Sequence, residues 1–281
     1  MGAPFEVLEP TAAETPLVVE IPHAGLDLPA PFLETLSAPA RAVGRDADLY
    51  VDALYADAPA EGATVLCCRM SRYVVDVNRA ETDVDGEVVD GARGDVTLQH
   101  GLVWRTTSEG ETALSRKLTR SELEERLELV WRPYHQMLAR LIELKRSRFG
   151  VAVVLAAHSM PSVERSGRDR TRDVQPGRPR ADVVPGTRGR RSAAPSLIDA
   201  VEEHAIARGW SVRHDDPYAG GFTTQSYGRP AEGVHVVQVE LARRLYLDEA
   251  TLRPGAGFEN VRGWCRELVG KLGRLGVLAR P

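Results

Sequence analysis

The chain has 281 residues and a formal net charge of −4, with 43% hydrophobic and 27% charged residues. This composition is typical of a soluble globular protein that buries a large core without disulfides or a structural metal. Three cysteines, two of them adjacent, exclude a disulfide framework, and no apolar run reaches the length of a membrane span.

The beginning of the chain predicts three short strands and one helix. Leu17–Ile21, 64–67 and 73–77 are apolar runs, and a proline ends the first of them. Apolar residues recur with helical spacing over 48–57. The acidic stretch 81–99 has no periodicity and predicts a loop. The N-terminus has neither a basic nor an apolar region, so we expect no signal peptide and a reducing, cytoplasmic location.

One long helix is predicted in the middle of the chain. Ser121 and Glu124 have the spacing of a capping box, in which each side chain satisfies a free backbone amide. An apolar stripe then continues from 123 to 141. Pro133 lies inside this stripe and is expected to kink the helix or divide it in two.

Strands alternate with helices through the remainder of the chain. The predicted strands are 151–157, 210–214 and 234–241, and the predicted helices are 196–208 and 258–272. The arginine-rich stretch 164–192 has few large apolar residues and predicts a long loop or a lid. No linker is evident, so we expect a single α/β domain over 1–281. Its sheet is expected to be mixed and mostly parallel, with helices on both faces.

Two histidines follow predicted strands and are candidate metal ligands, with an ordinary loop or core position for each as the alternative. His23 follows the first strand, and His158 follows the continuously apolar strand 151–157. Ligands of open α/β sheets bind outside the carboxyl ends of the strands, so both imidazoles are expected at one site. A catalytic zinc takes three protein ligands and leaves one position for water. Asp46, Asp48 and Asp52 can supply the third ligand, and Asp48, near the start of the next predicted helix, fits best.

Glu240 is a candidate general base. It alternates with valines on the predicted strand 234–241 and shares one face with Gln238. A carboxylate in the middle of a sheet is costly to bury unless it is paired or catalytic. The alternative is an ion pair with Arg243 or Arg244.

Asn78 and Arg79 form a candidate carboxylate-binding pair at the end of the stretch 73–77. Guanidinium binds a carboxylate through two hydrogen bonds, and the amide adds a directional donor. The alternative is a surface salt bridge with Glu81 or Asp83. Gly220 and Gly221 form a turn in which a ligand can approach the backbone closely, although a plain turn has the same composition.

Taken in order, these segments resemble the N-formylglutamate amidohydrolase family. The matching motifs cover most of the chain: Ile21-Pro22-His23-Ala24-Gly25, Asp48-Leu49-Tyr50-Val51-Asp52-Ala53-Leu54-Tyr55, Asp76-Val77-Asn78-Arg79-Ala80, Pro133-Tyr134-His135, His158-Ser159-Met160-Pro161, Pro217-Tyr218-Ala219-Gly220-Gly221 and Gln238-Val239-Glu240-Leu241-Ala242-Arg243-Arg244-Leu245-Tyr246. The family is similar in fold to zinc carboxypeptidases (a phosphorylase/hydrolase-like fold) and to the aspartoacylase and succinylglutamate desuccinylase group.

The resemblance implies a role for each candidate residue. His23, Asp48 and His158 would bind zinc, and Glu240 and Arg72 would be catalytic, as general base and oxyanion donor. The substrate would be bound by five residues: Asn78, Arg79, Gly220, Gly221 and Arg243. It also implies hydrolysis of N-formyl-L-glutamate to formate and L-glutamate, and a role in histidine degradation.

The sequence departs from the family pattern at two positions and leaves two alternatives. Ala156 stands where the family usually has Asp, and Gln225 stands where it usually has Arg. The first alternative is an amidohydrolase or peptidase that acts on another N-acyl amino acid or small peptide with the same metal site. The second is a non-enzymatic polyanion-binding protein that uses the arginine-rich stretch. The expected partner is a small anionic substrate rather than nucleic acid or membrane, and the expected state is a monomer or small homo-oligomer.

Overall fold

A six-stranded sheet forms the centre of the fold. A computed structural model describes residues 2–91, 100–164 and 177–279. The strands are, in chain order, β1 (Phe5–Leu8), β2 (Leu17–Ile21), β3 (Thr64–Cys68), β4 (Ala152–Met160), β5 (Val183–Gly186) and β6 (Val234–Ala242). Their order in the sheet is β1-β3-β2-β4-β6-β5. The four central strands are parallel and the two edge strands are antiparallel, so the predicted mixed, mostly parallel sheet is confirmed.

Helices cover both faces of this sheet. The helices are α1 (Ala30–Leu33), α2 (Ala40–Asp46), α3 (Val51–Leu54), α4 (Arg120–Arg126), α5 (Arg132–Phe149), α6 (Pro195–Ile206), α7 (Phe222–Tyr227) and α8 (Phe258–Gly276). Helices α3, α6 and α8 share an apolar core with alternate side chains of β2, β4 and β6. Helix α5 packs with the intervening side chains on the opposite face. This alternation explains why the central strands are apolar on both sides.

The long helix predicted in the middle of the chain is divided. The π-helical segment Leu127–Trp131 separates α4 from α5, and Pro133 lies in the first turn of α5. Proline has no N–H for the preceding turn, which confirms the expected interruption. The capping box is formed by Thr119 and Glu122 rather than by Ser121 and Glu124, so the helix begins two residues earlier than predicted.

Two predicted strands are wrong. Residues 73–77 form a buried connection in which the Asp76 amide donates to the Leu102 carbonyl at 2.8 Å. Strand β1 already occupies the outer edge of β3, so the sheet offers 73–77 no partner. Residues 210–214 make one bridge to β5, between Val212 and Val183, without becoming a strand.

Several short elements were not predicted or are shorter than expected. The edge strands β1 and β5 and the helix α7 were missed, and β5 lies inside the stretch predicted as a loop or lid. The helix predicted over 48–57 is reduced to the four residues of α3, followed by the 3₁₀ turn Ala58–Glu61. A two-stranded ribbon, Leu247–Asp248 with Arg253–Pro254, completes the described structure.

The predictions for the cysteines and for membrane spans can be compared with the described residues. Cys67, Cys68 and Cys265 are free and buried, and the first two belong to β3. Burial raises the pKa of the Cys67 thiol to about 12, which makes it a poor nucleophile. In the described ranges, no helix combines the length and the hydropathy that crossing a bilayer requires.

Candidate metal centre and active-site cavity

A cavity of about 470 Å³ opens at the carboxyl ends of β2, β4 and β6. This is the edge of the sheet where the two histidines were expected to meet. All ten residues predicted for the site line this cavity: His23, Asp48, Arg72, Asn78, Arg79, His158, Gly220, Gly221, Glu240 and Arg243. The structure therefore brings the predicted set together, while the role of each residue stays a prediction.

Local backbone contacts place His23 and Asp48 beside each other. The Asp48 amide donates to the His23 carbonyl at 2.9 Å, which ties the loop after β2 to the segment before α3. At Gly25, a Cβ atom would lie 2.3 Å from the backbone carbon of Arg69. Only glycine fits this close approach, so the loop that carries His23 can lie against the end of β3.

The three predicted metal ligands form a compact buried group. One ligand atom from each of His23, Asp48 and His158 lies within 4.8 Å of the others. Asp48 Oδ2 is 3.0 Å from His158 Nδ1 and 3.6 Å from His23 Nδ1. Asp46 instead bonds to Tyr73 and Ser108, and Asp52 is exposed, so Asp48 is the carboxylate that the structure places here.

The donor set of this group fits a metal ion. His23 Nδ1 is buried and has no hydrogen-bond partner among the described residues, although it faces the Asp48 carboxylate. A cation held between these atoms would satisfy both of them, and two imidazoles with one carboxylate are a ligand set that zinc prefers. Burial alone would raise the pKa of Asp48, but hydrogen bonds and charges from His158 and His23 hold that pKa well below its usual range. The carboxylate is thus in the ionised form that metal binding needs.

Asp76 supports His23 from behind, and sequence reasoning assigned it no role. Its Oδ1 lies 2.7 Å from His23 Nε2. Its Oδ2 accepts hydrogen bonds from Arg72 at 2.9 Å and from the Trp104 indole at 3.1 Å. Such a carboxylate fixes the orientation of a metal-binding imidazole. The signal available in the sequence was the position of Asp76 two residues before Asn78, at the start of the motif Asp76-Val77-Asn78-Arg79-Ala80.

Two arginines hold the backbone around the metal ligands. Arg243 donates to the Ala47 carbonyl at 2.8 Å and to the Arg45 carbonyl at 2.6 Å, and it lies 3.5 Å from Asp48 Oδ1. Arg72 donates to the Asp46 carbonyl at 3.2 Å and stacks over Trp104. The described side-chain contacts of Arg243 are therefore with the segment that carries Asp48 and with the Ser159 hydroxyl, although Arg243 was predicted to bind substrate.

Glu240 lies directly beside the metal ligands. It is opposite His158 in the register of β4 and β6, and the Gln238 amide donates to Glu240 Oε1 at 2.9 Å. Burial raises the pKa of Glu240, and the nearby Asp48 charge adds to the rise against the opposing effect of His158. The alternative ion pairs are absent from the described contacts, since Arg243 lies against Asp48 and Arg244 pairs with Asp182.

Asn78 is fixed by the start of α7. Its Oδ1 accepts from the Thr223 amide at 3.1 Å, which directs Nδ2 towards His158 Nε2 at 3.3 Å. A Cβ atom on Gly221 would lie 2.3 Å from Asn78 Nδ2, so the glycine turn and the amide need each other. The Gly221 amide in turn donates to Gln238 Oε1 at 2.9 Å. Helix α7 was missed in the sequence, and Gln238 was placed on the face of Glu240 without a role.

The surroundings of Arg79 differ from those of the metal ligands. Its side chain is exposed at the cavity wall and has no hydrogen bond or ion pair with any described residue. The predicted alternative fails, because Glu81 pairs with Arg132 and Asp83 accepts from the Ala80 amide. A free guanidinium at the wall of a cavity is available to an anionic ligand.

The two departures from the family pattern lie in different surroundings. Ala156 sits on β4 between Glu20 of β2 and Gln238 of β6, on the side of the sheet that faces α7. Gln225 is exposed on α7 and does not line the cavity. Residues 165–176 of the predicted lid lie outside the described residues, so the lid and the polyanion-binding alternative stay predictions.

Comparison with known proteins gives one consistent family. The family model for N-formylglutamate amidohydrolase matches residues 15–247. The N-formylglutamate deformylase of Pseudomonas putida is 34% identical over 237 residues, which cover 83% of this chain and 82% of that protein. Its counterpart in Pseudomonas aeruginosa is 33% identical over 248 residues, which cover 87% and 86%.

Solved structures agree with the sequence comparisons. The crystal structure of N-formylglutamate amidohydrolase from Ralstonia eutropha has a TM-score of 0.87 and 32% identity, and the match covers 97% of this chain and 98% of that chain. A gene product of Agrobacterium tumefaciens has a TM-score of 0.69 and 21% identity, and the match covers 96% of this chain and 95% of that chain. At this identity the likeness shows the fold alone. The predicted fold class is thus confirmed.

Proposed function

The chain belongs to the N-formylglutamate amidohydrolase family, and on that premise we propose that it hydrolyses the amide bond of N-formyl-L-glutamate to formate and L-glutamate. The observation that carries the proposal is the position of Glu240, opposite His158 in the sheet register and inside the cavity that also contains His23 and Asp48. One cavity thus combines a candidate base, a candidate metal site and the guanidinium of Arg79, which has no ion pair among the described residues. This combination suits the hydrolysis of an acidic N-acyl amino acid.

His23, Asp48 and His158 would hold the metal ion. When bound, a divalent metal such as zinc polarises a carbonyl group and lowers the pKa of water towards 7. Contacts within the chain orient these ligands before a metal ion binds, because Asp76 bonds to His23 and Arg243 bonds to the segment around Asp48. Pre-organised polar groups of this kind need no rearrangement during the reaction.

Glu240 would move the proton. It accepts a proton from the attacking water as the water oxygen bonds to the formyl carbon. It then donates that proton to the leaving nitrogen as the C–N bond breaks, which releases formate and the free amine. A raised carboxyl pKa suits both steps, because one group must first take up a proton and then give it away near neutral pH.

Arg72 and the pair Asn78–Arg79 would bind the two charged parts of the reacting substrate. Arg72 lies against His23 and Asp76 at the inner end of the cavity, where its remaining N–H groups can meet the oxyanion that develops on the formyl oxygen. Asn78 and Arg79 would hold the substrate carboxylate. Gly220 and Gly221 would let the substrate backbone pass close to this pair.

The deciding experiment is a panel of N-acyl amino acids, assayed for formate or amine release with and without a chelator. We expect N-formyl-L-glutamate to be the best substrate and the chelator to abolish turnover, with recovery on adding Zn²⁺. The variant His158→Ala should lose bound metal and activity together, whereas Gln225→Ala should retain both. Efficient turnover of another N-acyl amino acid in place of N-formyl-L-glutamate would favour the alternative substrate class. Full activity without metal would contradict the assigned site.

A further inference from the structure

Among the residues that the structure describes, two guanidinium groups of the cavity wall have no carboxylate partner, and one of them has no proposed role. They are Arg79 and Arg180. The other cavity arginines are engaged: Arg45 pairs with Glu109, Arg72 with Asp76, and Arg243 lies against Asp48. Among the described residues, neither Arg79 nor Arg180 forms an ion pair.

The carboxylates of the same wall are all engaged. They and their partners are Asp46 with Tyr73, Asp48 with His158, Asp76 with Arg72, Glu240 with Gln238, and Glu249 with the Ser162 amide. Glu240 and Glu249 accept these bonds from neutral N–H groups and keep their charge, whereas Arg79 and Arg180 are the guanidinium groups of the wall that form no ion pair among the described residues. Each of these two guanidinium groups can bind one carboxylate of a ligand through two hydrogen bonds.

Arg180 is held towards the cavity by local contacts. Its Nη1 donates to the Pro161 carbonyl at 3.2 Å and lies 3.4 Å from the Tyr218 hydroxyl. The guanidinium carbon lies 5.4 Å from the centre of the Tyr218 ring. Its Nε atom is buried and has no hydrogen-bond partner among the described residues. These contacts fix the plane of the guanidinium and leave donors unused.

The turn 218–221 connects Arg180 to the Asn78–Arg79 pair. Tyr218 contacts Arg180 at one end of this turn, and Gly221 packs against Asn78 at the other. Arg180 and the Asn78–Arg79 pair thus line one and the same cavity of about 470 Å³.

We propose that Arg180, with the Tyr218 hydroxyl, binds the second carboxylate of the substrate and makes the enzyme selective for N-acyl derivatives of dicarboxylic amino acids. Asn78 and Arg79 then bind the carboxylate next to the amide. This inference rests on the proposed function. It adds that selectivity for the side chain resides at Arg180, a residue to which sequence reasoning gave no role of its own.

The test compares N-formyl-L-glutamate with N-formyl-L-glutamine, which has the same shape without the second charge. In Arg180→Gln we expect kcat/KM for the glutamate substrate to fall about 10- to 100-fold, the range for losing a hydrogen-bonded charge pair. Turnover of the glutamine substrate should change little. Arg79→Gln should weaken both substrates equally. The exposed Arg178→Gln, two residues away and outside the cavity wall, should change neither.

Binding to an inactive background separates this inference from the proposed activity. Calorimetry with Glu240→Gln should show tighter binding of N-formyl-L-glutamate than of N-formyl-L-glutamine, and adding Arg180→Gln should remove the difference. Equal loss of both ligands in Arg180→Gln, or no loss of either, would overturn the role of Arg180 and leave the hydrolase standing. Selective binding to a wild-type chain that releases no formate would refute the hydrolase and retain the selectivity site.

Discussion

The two walls of the cavity are built in opposite ways. The metal wall consists of five residues: His23, Asp48, Arg72, Asp76 and His158. The arginine wall consists of two: Arg79 and Arg180. Side chains of the metal wall are largely buried and bonded to one another, whereas the arginine wall is partly exposed and has no ion pair within the described chain.

This difference separates chemistry from recognition. Buried polar groups cost free energy unless they are satisfied, so hydrogen bonds fix the metal wall before substrate arrives. The exception is His23 Nδ1, which is left for the proposed metal ion. The exposed guanidinium of Arg79 keeps its hydration and can stay unpaired at little cost, and the half-buried guanidinium of Arg180 bonds to the Pro161 carbonyl and leaves its buried Nε without a partner among the described residues. We expect substitutions in the metal wall to lower kcat and metal affinity, and those in the arginine wall to alter KM and substrate choice.

The largest effect is expected for Glu240→Gln, which removes the proton acceptor without changing shape. We expect kcat to fall about 10³-fold, within the range for a lost general base, while stoichiometric metal stays bound. A formate-release assay with metal analysis measures both quantities. Metal lost together with activity would assign Glu240 to the metal wall instead.

A matched control for this variant is Glu20→Gln. Glu20 is also a buried glutamate of the central sheet, its pKa is raised by burial, and it lies outside the cavity lining. Its Oε1 accepts from Tyr134 and Thr223, and a glutamine oxygen can accept the same bonds. We expect kcat within a few-fold of wild type. A loss as large as that of Glu240→Gln would show that kcat depends on a buried carboxylate anywhere in the sheet, and not on the position of Glu240 beside the metal ligands.

The next effect concerns the support behind the metal wall. Burial alone would raise the pKa of Asp76, but the charges of His23 and Arg72 outweigh it and hold that pKa well below its usual range. Asp76→Asn removes the charge that orients His23, so we expect Zn²⁺ affinity to fall about 10- to 100-fold. Competition with a chelating dye measures this, and the exposed Asp52→Asn is the control. An unchanged affinity would restrict Asp76 to a structural role.

The sequence predicted the parts of the fold that depend on local pattern. Apolar runs marked β2, β3 and β4, the alternation of valines with polar residues marked β6, and the helices α6 and α8 were also predicted. It failed where the outcome depends on a partner elsewhere in the chain. Residues 73–77 have the composition of a strand but no free sheet edge, whereas Val183–Gly186 is short and becomes a strand because the edge of β6 is free.

The candidate site divides in the same way. His23, His158 and Glu240 could be identified because each lies at the carboxyl end of a strand, where parallel strands bring ligands together. Asp76 and Arg180 could not, because their importance comes from contacts with distant residues. Only the folded chain shows that Asp76 lies behind His23 and that Arg180 lines the cavity without an ion pair among the described residues.

His135 provides the neutral counterpart of Asp76, because it supports the segment from which Arg79 projects. Its Nε2 donates to the Val77 carbonyl at 2.8 Å, and its Nδ1 lies 3.0 Å from the Tyr227 hydroxyl. Burial lowers the pKa of His135 from 6.5 to about 4. His135 therefore binds a proton below pH 6.5 in the unfolded chain but only near pH 4 in the folded chain.

The smallest effect is thus a loss of stability in mild acid. Stability from a neutral buried histidine is complete above pH 6.5 and is lost as the pH falls towards 4. At pH 5.5 the loss amounts to about 1.4 kcal/mol relative to neutral pH. His135→Gln cannot titrate, so its free energy of unfolding in urea, measured in chelator, should fall by that much less between pH 7.5 and pH 5.5. An identical fall in both proteins would mean that the folded chain protonates His135 over the same pH range as the unfolded chain. At pH 5.5 both walls would then be supported by charged residues.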